Sequence, residues 1–331
     1  MKTVSIIVPC YNEEKTITQL LDGIHSQLFP IDEMEVVIAD GLSEDGTRQM
    51  IEKFKLDHPD LTITVVDNHN RSIPSGLNTA IKASTGEFII RLDAHSIPKP
   101  DYVRRCIEAL RKNLAENVGG IWNVQPGNTS WIAKSIAAAG SHPLGVGDAG
   151  YRYATQAAYV DTVPFGAYRR ELLDKVGYYD ESLLTNEDYE LNVRIRQSGG
   201  RILLDPSIQS TYFARSNLRT LARQYMRYGY WKAQMLRKYP KTIRWRQVLP
   251  PLFVLGVLLL AILSPIWVFF WYMLLIILLL YFGILFLTSI KIALQKKNGA
   301  FIMGIPLAVS VMHFCWGGGF LYNLINPKRI H

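Results

Sequence analysis

The sequence predicts an α/β domain with a mainly parallel sheet, followed by a basic amphipathic segment and C-terminal transmembrane helices. Short apolar strands alternate with helical patterns in the first hundred residues, which is typical of parallel sheets. Residues 248–290 contain no Asp, Glu, Lys or Arg. All 28 acidic residues precede residue 206, whereas 15 of the 36 Lys and Arg residues follow it, so the net charges are −7 and +15. We expect domain boundaries at residues 1–212, 213–247 and 248–331.

Composition excludes two protein classes. The chain has 331 residues, of which 49% are apolar and 19% charged, which excludes a disordered chain and a disulfide scaffold. Cys10, Cys106 and Cys315 are odd in number and lack metal-ligand spacing, consistent with a reducing compartment. The first apolar run, residues 4–10, is too short for a signal peptide.

Four β-branched runs predict the strands of the sheet, at residues 4–8, 35–39, 61–66 and 87–92. Helical patterns separate them. Three of the strand ends are followed by polar clusters, at residues 11–13, 40–45 and 93–95. Because ligands bind at the carboxyl ends of parallel strands, we expect these clusters to converge on one crevice.

The polar clusters favour a cation-assisted phosphate site. No Gly-x-Gly-x-x-Gly follows the first strand and no Gly-Lys-Ser/Thr loop is present, so the sheet lacks the usual devices for binding dinucleotides or ATP. An acidic crevice that holds a phosphorylated ligand therefore needs a divalent cation. Asp93 and His95 lie two residues apart at a strand end, and this pair suits Mn²⁺ and tolerates Mg²⁺.

The uncharged run of 43 residues predicts two membrane helices. One helix of that length would be about 65 Å long, but a bilayer core is only about 30 Å thick. Ser264-Pro265 provides a break, so we expect helices at about 248–263 and 266–290. A core hairpin of a soluble protein is the alternative, disfavoured because neither helix has a polar face. A second run at 299–326 predicts either a third crossing at about 299–325 or a re-entrant or interfacial element.

Lysines indicate the orientation of the chain. Lys291, Lys296 and Lys297 lie between the two apolar runs, and short lysine-rich loops face the cytoplasm. Two crossings then place residues 1–247 in the cytoplasm, at the cell membrane. A third crossing would place Lys328 and Arg329 outside, which the same rule disfavours.

The segment at residues 215–246 is basic and amphipathic. It contains ten Lys or Arg residues and no acidic residue. Aromatic residues interleave with its cations, and one helical stripe consists of Arg215, Arg219, Arg223 and Arg227. This pattern predicts binding to an anionic leaflet. Nucleic-acid binding is the alternative, which the adjoining membrane spans disfavour.

Four motifs in order resemble those of the family 2 glycosyltransferases, which have the GT-A (Rossmann-like) fold. They are VSIIVPCYNEE at 4–14, IADGLSEDGT at 38–47, GEFIIRLDAH at 86–95 and NEDYE at 186–190, and the resemblance covers about residues 3–240. Further segments are similar to bacterial exopolysaccharide glucosyltransferases of the succinoglycan type: DTVPFGAYRR at 161–170, GGRILL at 199–204 and QYMRYGYWK at 224–232.

The resemblance implies a nucleotide-sugar site around Pro9 and Tyr11. Tyr11 is expected to lie against the nucleobase and Glu13 near the ribose. Asp40 is expected to hydrogen-bond the base edge, and Arg71 to lie near the base or the phosphates.

The resemblance also implies the catalytic groups. Asp93 and His95 are expected to hold Mn²⁺ or Mg²⁺ on the diphosphate, and Asp188 to act as general base, with Glu187 as the alternative. Thr185 or Asn186 would cap the helix that follows, whose N-terminus favours an ionised carboxylate. Neighbouring helical positions diverge by about 100°, so Asp188 and Glu187 cannot face the same hydroxyl.

The segment Gln224-x-x-Arg227-Tyr228 corresponds to the Gln-x-x-Arg-Trp motif of processive synthases. Tyrosine in place of tryptophan favours a non-processive enzyme. Gln224, Arg227 and Trp231 are expected either to contact the acceptor or a phosphate, or to act as interfacial anchors.

Together these features predict a membrane-anchored, metal-dependent, inverting glycosyltransferase. It would move glucose from a UDP-linked donor to a lipid-linked saccharide in exopolysaccharide or surface-glycan synthesis. The alternatives are a transferase acting on polyprenyl phosphate, a processive polysaccharide synthase and an inactive membrane adaptor that binds nucleotide or protein partners. The four residues Asp40, Asp93, His95 and Asp188 argue against the adaptor.

Overall fold

The computed structural model describes residues 2–147, 149–242 and 244–327, without the side chains of Lys241, Trp245 and Arg246. Lys328 and Arg329, which bear on chain orientation, lie outside the described residues. The chain divides into two compact units, residues 1–123 with 150–212 and residues 124–149 with 213–331. Residues 124–149, which were expected in the first domain, therefore belong to the second unit.

Four parallel strands form one half of the sheet in the first unit. The elements are β1 (Val4–Cys10), α1 (Ile17–His25), β2 (Met34–Asp40), α2 (Thr47–Asp57), β3 (Thr62–Asp67), α3 (Ile73–Ala83) and β4 (Phe88–Arg91). The order is β3-β2-β1-β4, and the register aligns Cys10 with Asp40 and Asp40 with Asp67. The four predicted strands and their parallel arrangement are confirmed, and their carboxyl ends share one edge.

The remaining strands extend the sheet with antiparallel pairings. The next elements are β5 (Ser96–Pro98), α4 (Tyr102–Arg111), β6 (Asn117–Gln125), α5 (Trp131–Ala139), α6 (Pro143–Val146), β7 (Ala158–Tyr159), β8 (Ala167–Arg169), α7 (Arg170–Val176), α8 (Glu187–Gln197) and β9 (Ile202–Phe213). Strand β8 pairs antiparallel with both β4 and β6, and β9 pairs antiparallel with β5 and β7. Strand β8 thereby places α7, and after it α8, next to the end of β4.

Both faces of the central strands are covered, which explains their unbroken apolar runs. On β1, Ile6 belongs to a core layer with residues of α1, α2 and α4. The next residue, Ile7, belongs to the opposite layer with residues of α3, α7 and α8. Successive residues of a strand point to opposite faces, so the two layers clamp the sheet and fix its carboxyl edge.

The second unit contains the apolar helices. They are α9 (Leu218–Lys238), α10 (Trp245–Leu263), α11 (Val268–Gln295) and α12 (Phe301–Ile325). Within the described residues, α11 and α12 are long and apolar enough to cross a membrane, with mean hydropathies of 2.7 and 1.5, and the apolar part of α10 is shorter. A break at residues 264–267 separates α10 from α11.

Helix α12 is continuous and packs within this unit against α5, α9, α10 and α11. Glycines permit the close approach: a Cβ at Gly229 of α9 would overlap the carbonyl group of Trp316, and one at Gly319 would overlap that of Met226. All four arginines of the predicted stripe are exposed, but Arg215 precedes α9 and only the other three lie on the helix. The opposite side of α9 packs on α12, which the sequence pattern did not indicate.

Candidate active site

The loops after β1 and β2 are tied together at the carboxyl edge of the sheet. The backbone N–H of Asn12 donates to Ser43 Oγ at 2.8 Å, and the N–H of Glu44 donates to Asn12 Oδ1 at 2.9 Å. Asn12 and Leu42 both have positive φ, 54° and 59°. Backbone strain of this kind is held by surrounding contacts and concentrates at binding sites.

Asp40 is buried and organises the loop that follows it. Its Oδ1 accepts a hydrogen bond from Ser43 Oγ at 2.5 Å, and its Oδ2 accepts from Arg48 Nε at 2.6 Å. Arg48 also pairs with Asp67 at the end of β3. The side chain of Asp40 has no exposed surface in this structure, and its expected contact with a nucleobase stays a prediction. Its hydrogen bonds hold the loop after β2 against the end of the strand.

Tyr11 presents an exposed ring at the same edge. The residue is 43% exposed, and the guanidinium of Arg71 lies 5.7 Å from the ring centroid. Arg71 has φ of 50° and pairs with Glu44 at 3.3 Å. Gly41 lies against the ring, since a Cβ there would be 3.2 Å from Tyr11 Cδ2. An aromatic face beside a cation suits a planar base that carries phosphates.

Pro9 lies one residue before the end of β1 and is half-buried. A Cβ at Gly76 of α3 would lie 3.3 Å from Pro9 Cβ, so this residue packs α3 against the strand end.

Glu13 and His95 are brought together. His95 Nδ1 lies 3.1 Å from Glu13 Oε1, and Thr16 Oγ1 donates to Glu13 Oε2 at 2.5 Å. A carboxylate that accepts the Nδ1 proton fixes the imidazole tautomer that carries its lone pair on Nε2, which is how metal-binding histidines are oriented in proteins. The carboxylate of Glu13 thus orients His95 in this structure.

The sequence reasoning missed Arg91, the last residue of β4. Its Nη2 lies 3.2 Å from Asp93 Oδ1 and 3.0 Å from Glu187 Oε1, and its side chain is 6% exposed. Nη1 is buried and makes no hydrogen bond with any described residue. Burial lowers the pKa of Arg91, but Asp93 and Glu187 outweigh it and hold that pKa well above its ordinary value. One buried cation therefore links the strand end to α8.

Helix α8 begins with the two candidate bases. Asn186 occupies the N-cap position with φ of 69°, and its side chain makes no capping bond, contrary to expectation. Asp188 Oδ1 instead accepts from the backbone N–H of Tyr189 at 2.7 Å. Burial raises the pKa of both Glu187 and Asp188, and Arg91 opposes that rise. Burial is the largest influence on the pKa of Asp188, and the expectation that the helix N-terminus favours the ionised form stays a prediction.

Polar contacts fix the orientation of α8. Tyr189 donates to Asp161 Oδ2 at 3.2 Å, and Asn192 Nδ2 donates to Thr162 Oγ1 at 3.0 Å. Arg194 forms two bonds to Glu190 and further bonds to backbone carbonyls of residues 176–178. The helix is therefore held rigidly, with its N-terminus at Arg91.

The donor set at the end of β4 fits a divalent cation. The side chains of Asp93 and His95 are 22% and 39% exposed, so both reach solvent. Within the described part of the chain, the bonds from Arg91 to Asp93 both use Oδ1. An oriented imidazole and a partly exposed carboxylate match the ligand types that Mn²⁺ accepts.

The residues predicted for acceptor contact lie on α9 of the second unit. Gln224 Nε2 donates to Tyr228 Oη at 2.8 Å, and Arg227 is exposed. Trp231 is only 7% exposed. The ring therefore packs inside the helical unit, and both expected roles of Trp231, acceptor or phosphate contact and interfacial anchoring, stay predictions.

A family profile and two known proteins align with more than half of this chain. The profile described as Glycosyl transferase family 2 matches residues 5–177, just over half of the chain. A dolichyl N-acetyl-α-D-glucosaminyl phosphate 3-β-D-2,3-diacetamido-2,3-dideoxy-β-D-glucuronosyltransferase of Methanococcus voltae is 29% identical over 98% of both chains. The succinoglycan biosynthesis protein ExoA of Rhizobium meliloti is 29% identical over 98% of this chain and 96% of its own.

Solved structures share the fold. The mannosyltransferase PcManGT of Pyrobaculum calidifontis, in complex with GDP-Man and Mn²⁺, has a TM-score of 0.58 at 23% identity, covering 73% of this chain and 65% of that one. TarS of S. aureus, in complex with UDP-GlcNAc, has a TM-score of 0.51 at 22% identity, covering 69% and 66%. The first unit thus has a GT-A-like α/β fold, and the profile match shows that this chain is a glycosyltransferase of family 2.

Proposed function

We propose that the protein is a membrane-anchored, metal-dependent, inverting glycosyltransferase that moves glucose from UDP-glucose to a lipid-linked saccharide. The observation that carries the proposal is the Arg91 bridge, which brings the cation donor Asp93 and the helix that bears Asp188 to one place. A donor diphosphate and an acceptor hydroxyl need these two functions side by side.

Asp188 is the general base in this proposal, and Glu187 is not. Glu187 Oε1 pairs with Arg91 at 3.0 Å and is buried, so its carboxylate is committed to the protein. Asp188 is partly exposed, and the Tyr189 N–H holds its Oδ1. The other oxygen can take the acceptor proton, and a positioned base contributes about 10²–10⁴-fold to the rate.

Arg91 favours the ionised form of Asp188, which is the form that a base requires. Burial disfavours the charged carboxylate and the neighbouring guanidinium favours it. Direct attack of the acceptor hydroxyl on the anomeric carbon inverts the configuration, so an α-linked donor gives a β-linked product.

The edge residues supply donor binding. Tyr11 offers its exposed ring to the uracil, and Arg71 beside it offers positive charge to the diphosphate. Asp93 and His95 would hold a divalent cation, which when bound neutralises the leaving diphosphate. Glu13 orients His95, and Asp40 keeps the loop after β2 in place.

Two features of the helical unit support membrane anchoring. Large apolar side chains are exposed along α10 and α11, and α10 is about 28 Å long at 1.5 Å per residue. We propose that these two helices cross the bilayer as a hairpin and return the chain to the cytoplasm at Lys296 and Lys297. Helix α12 packs in its own unit against α5 and the charged helix α9 as well as α10 and α11, and we propose that it is an interfacial or re-entrant element.

A lipid-linked saccharide acceptor is supported by two features. The Methanococcus voltae relative, which matches nearly the whole chain, is named for a dolichyl-phosphate-linked sugar substrate. A hairpin anchor confines the catalytic unit to the cytoplasmic leaflet, where such lipids present their sugars.

The test is a donor and acceptor panel with the full-length protein in lipid nanodiscs containing Mn²⁺. UDP release and extension of the lipid saccharide should both occur with UDP-glucose and fall about 10²–10⁴-fold in Asp188→Asn. Asp188→Asn should still bind donor. If Asp188→Asn had wild-type activity, another residue would have to be the general base, and Glu187→Gln would be tested first.

The acceptor arm separates the alternatives. Transfer to bare polyprenyl phosphate identifies the first alternative, and long products from one enzyme identify a processive synthase. A complete lack of metal-dependent nucleoside diphosphate release from any sugar nucleotide leaves only the inactive adaptor.

A further inference from the structure

Two imidazoles and a carboxylate meet on the first unit, away from the site described above. His25 is the last residue of α1, His58 follows directly after α2, and Asp60 lies in the turn before β3. His25 Nε2 is 3.0 Å from Asp60 Oδ2, and the rings of His25 and His58 are centred 4.3 Å apart. One donor atom from each of the three residues lies within 4.8 Å of the other two.

We propose that His25, His58 and Asp60 bind a divalent transition-metal ion, with Zn²⁺ as the preferred member of that class. Two neutral imidazoles and one carboxylate form a donor set that Zn²⁺ uses in proteins, leaving a fourth position for water. Bonds of about 2.0–2.2 Å in a tetrahedral site place ligand atoms somewhat over 3 Å apart. The His25–Asp60 separation of 3.0 Å is close to that spacing.

The backbone presents the three ligands in a fixed arrangement. The N–H of His58 donates to the carbonyl of Phe54 at 2.9 Å, and the N–H of Leu61 closes the turn onto the carbonyl of His58 at 3.3 Å. The buried ring of Phe54 packs against His58 with centroids 4.3 Å apart. Small rotations of the three side chains would therefore bring their donor atoms to the spacing that a bound ion requires.

The electrostatic potential around this cluster favours binding of a cation. Helices α1 and α2 both end at the cluster, and the C-terminus of a helix carries a partial negative charge. His25 is 30% exposed and Asp60 51% exposed, so an ion can enter from solvent.

This site differs from the cation site of the active centre. Helices α1 and α2 start beyond the carboxyl ends of β1 and β2 and return to the opposite edge, as crossovers between parallel strands must. A metal there cannot touch the donor diphosphate. Bound metal would instead join the ends of two helices that cover the same face of the sheet.

The test is a Zn²⁺ titration of untagged, chelator-stripped full-length protein in detergent, against a chromophoric chelator. Wild type, His25→Ala, His58→Ala and Asp60→Asn are compared, with His69→Ala as the matched control because His69 is an exposed histidine outside the cluster. Each cluster variant should lose one equivalent of Zn²⁺, or bind it at least about 10–100-fold more weakly. His69→Ala should match wild type.

Two further measurements keep the result decisive. Asp93→Asn should retain this equivalent, which separates it from any ion at the active site. Zn²⁺ should raise the melting temperature of wild type and His69→Ala but not of Asp60→Asn, a surface change that leaves the helices intact. Equal Zn²⁺ binding and equal melting shifts in His69→Ala and the cluster variants would overturn the proposal.

Discussion

Replacing Arg91 with methionine removes the cation that stands between two carboxylates. Nη2 of Arg91 lies 3.2 Å from Asp93 Oδ1 and 3.0 Å from Glu187 Oε1. The Arg91 side chain is 6% exposed and the Glu187 side chain 7%, so water cannot take over the lost interactions. The variant leaves the Glu187 carboxylate buried without its ion-pair partner.

The size of the effect follows from this burial. Removing one partner of a buried ion pair costs about 3–5 kcal/mol. The surface pair of Lys55 and Glu52 has the same 3.0 Å separation but is 34% and 59% exposed, and exposed pairs contribute only about 0.2–1 kcal/mol. Lys55→Met is therefore a matched control that should change stability little.

Stability is measured by thermal and denaturant unfolding of the detergent-solubilised protein. Activity is measured separately, as turnover of the donor. Arg91→Met should be strongly destabilised and inactive. The double variant Arg91→Met/Glu187→Gln removes the buried charge as well, so it should regain most of the stability without regaining activity. If Arg91→Met lost no more stability than Lys55→Met, the argument that Arg91 neutralises a buried carboxylate would be refuted.

Two further predictions concern stability. Burial raises the pKa of Glu35, but hydrogen bonds, including one from the Thr85 N–H at 2.6 Å, lower it more, so its folded-state pKa lies below the unfolded value. Glu35→Gln should cost about 1.5–3 kcal/mol at pH 7, and the difference should shrink as the pH falls through about 4.3 and below, which pH-dependent melting would show. A pH-independent difference would contradict this reasoning. In the helical unit, Gly229→Ala should lower stability by about 1–3 kcal/mol, because its Cβ meets the carbonyl of Trp316, whereas Gly256→Ala has open space and should melt like wild type.

The sequence allowed the strands and their shared edge to be predicted because both depend on local patterns. Apolar β-branched runs predict β1 to β4, and parallel connection alone places Tyr11, Asp40 and Asp93 at one edge. The functions of these residues depend on side-chain partners. The carboxylate of Asp40 accepts hydrogen bonds from Ser43 and Arg48, which no strand pattern reveals.

The Arg91 bridge could not be derived from periodicity. A single arginine in the apolar run Phe88–Leu92 is nevertheless a signal, because a buried cation needs an anionic partner. That partner, Glu187, is distant in sequence and reaches it only through the antiparallel pairing of β8 with β4. The cluster of His25, His58 and Asp60 was missed for the same reason, since two helices of the fold bring it together.

Composition predicted the apolar C-terminal helices, but it did not predict which elements pack against one another. Uncharged runs predict α10 and α11 well. The arginine stripe of α9 correctly predicts an exposed face, yet only Gly229 and Gly319 reveal that the other side packs on α12. Glycines in an apolar or basic stretch can serve flexibility or close packing, and spacing alone does not separate these uses.

The central claim is that Asp93 and His95 hold a cation that binds the donor diphosphate next to Asp188. Calorimetric titration of UDP into the full-length protein, with and without Mn²⁺, tests it most directly. Wild type should bind UDP at least about tenfold more tightly with Mn²⁺, a difference of about 1.4 kcal/mol, and Asp93→Asn should lose that gain. Equal UDP affinity with and without Mn²⁺ in wild type, or an unchanged Mn²⁺ effect in Asp93→Asn, would contradict the account.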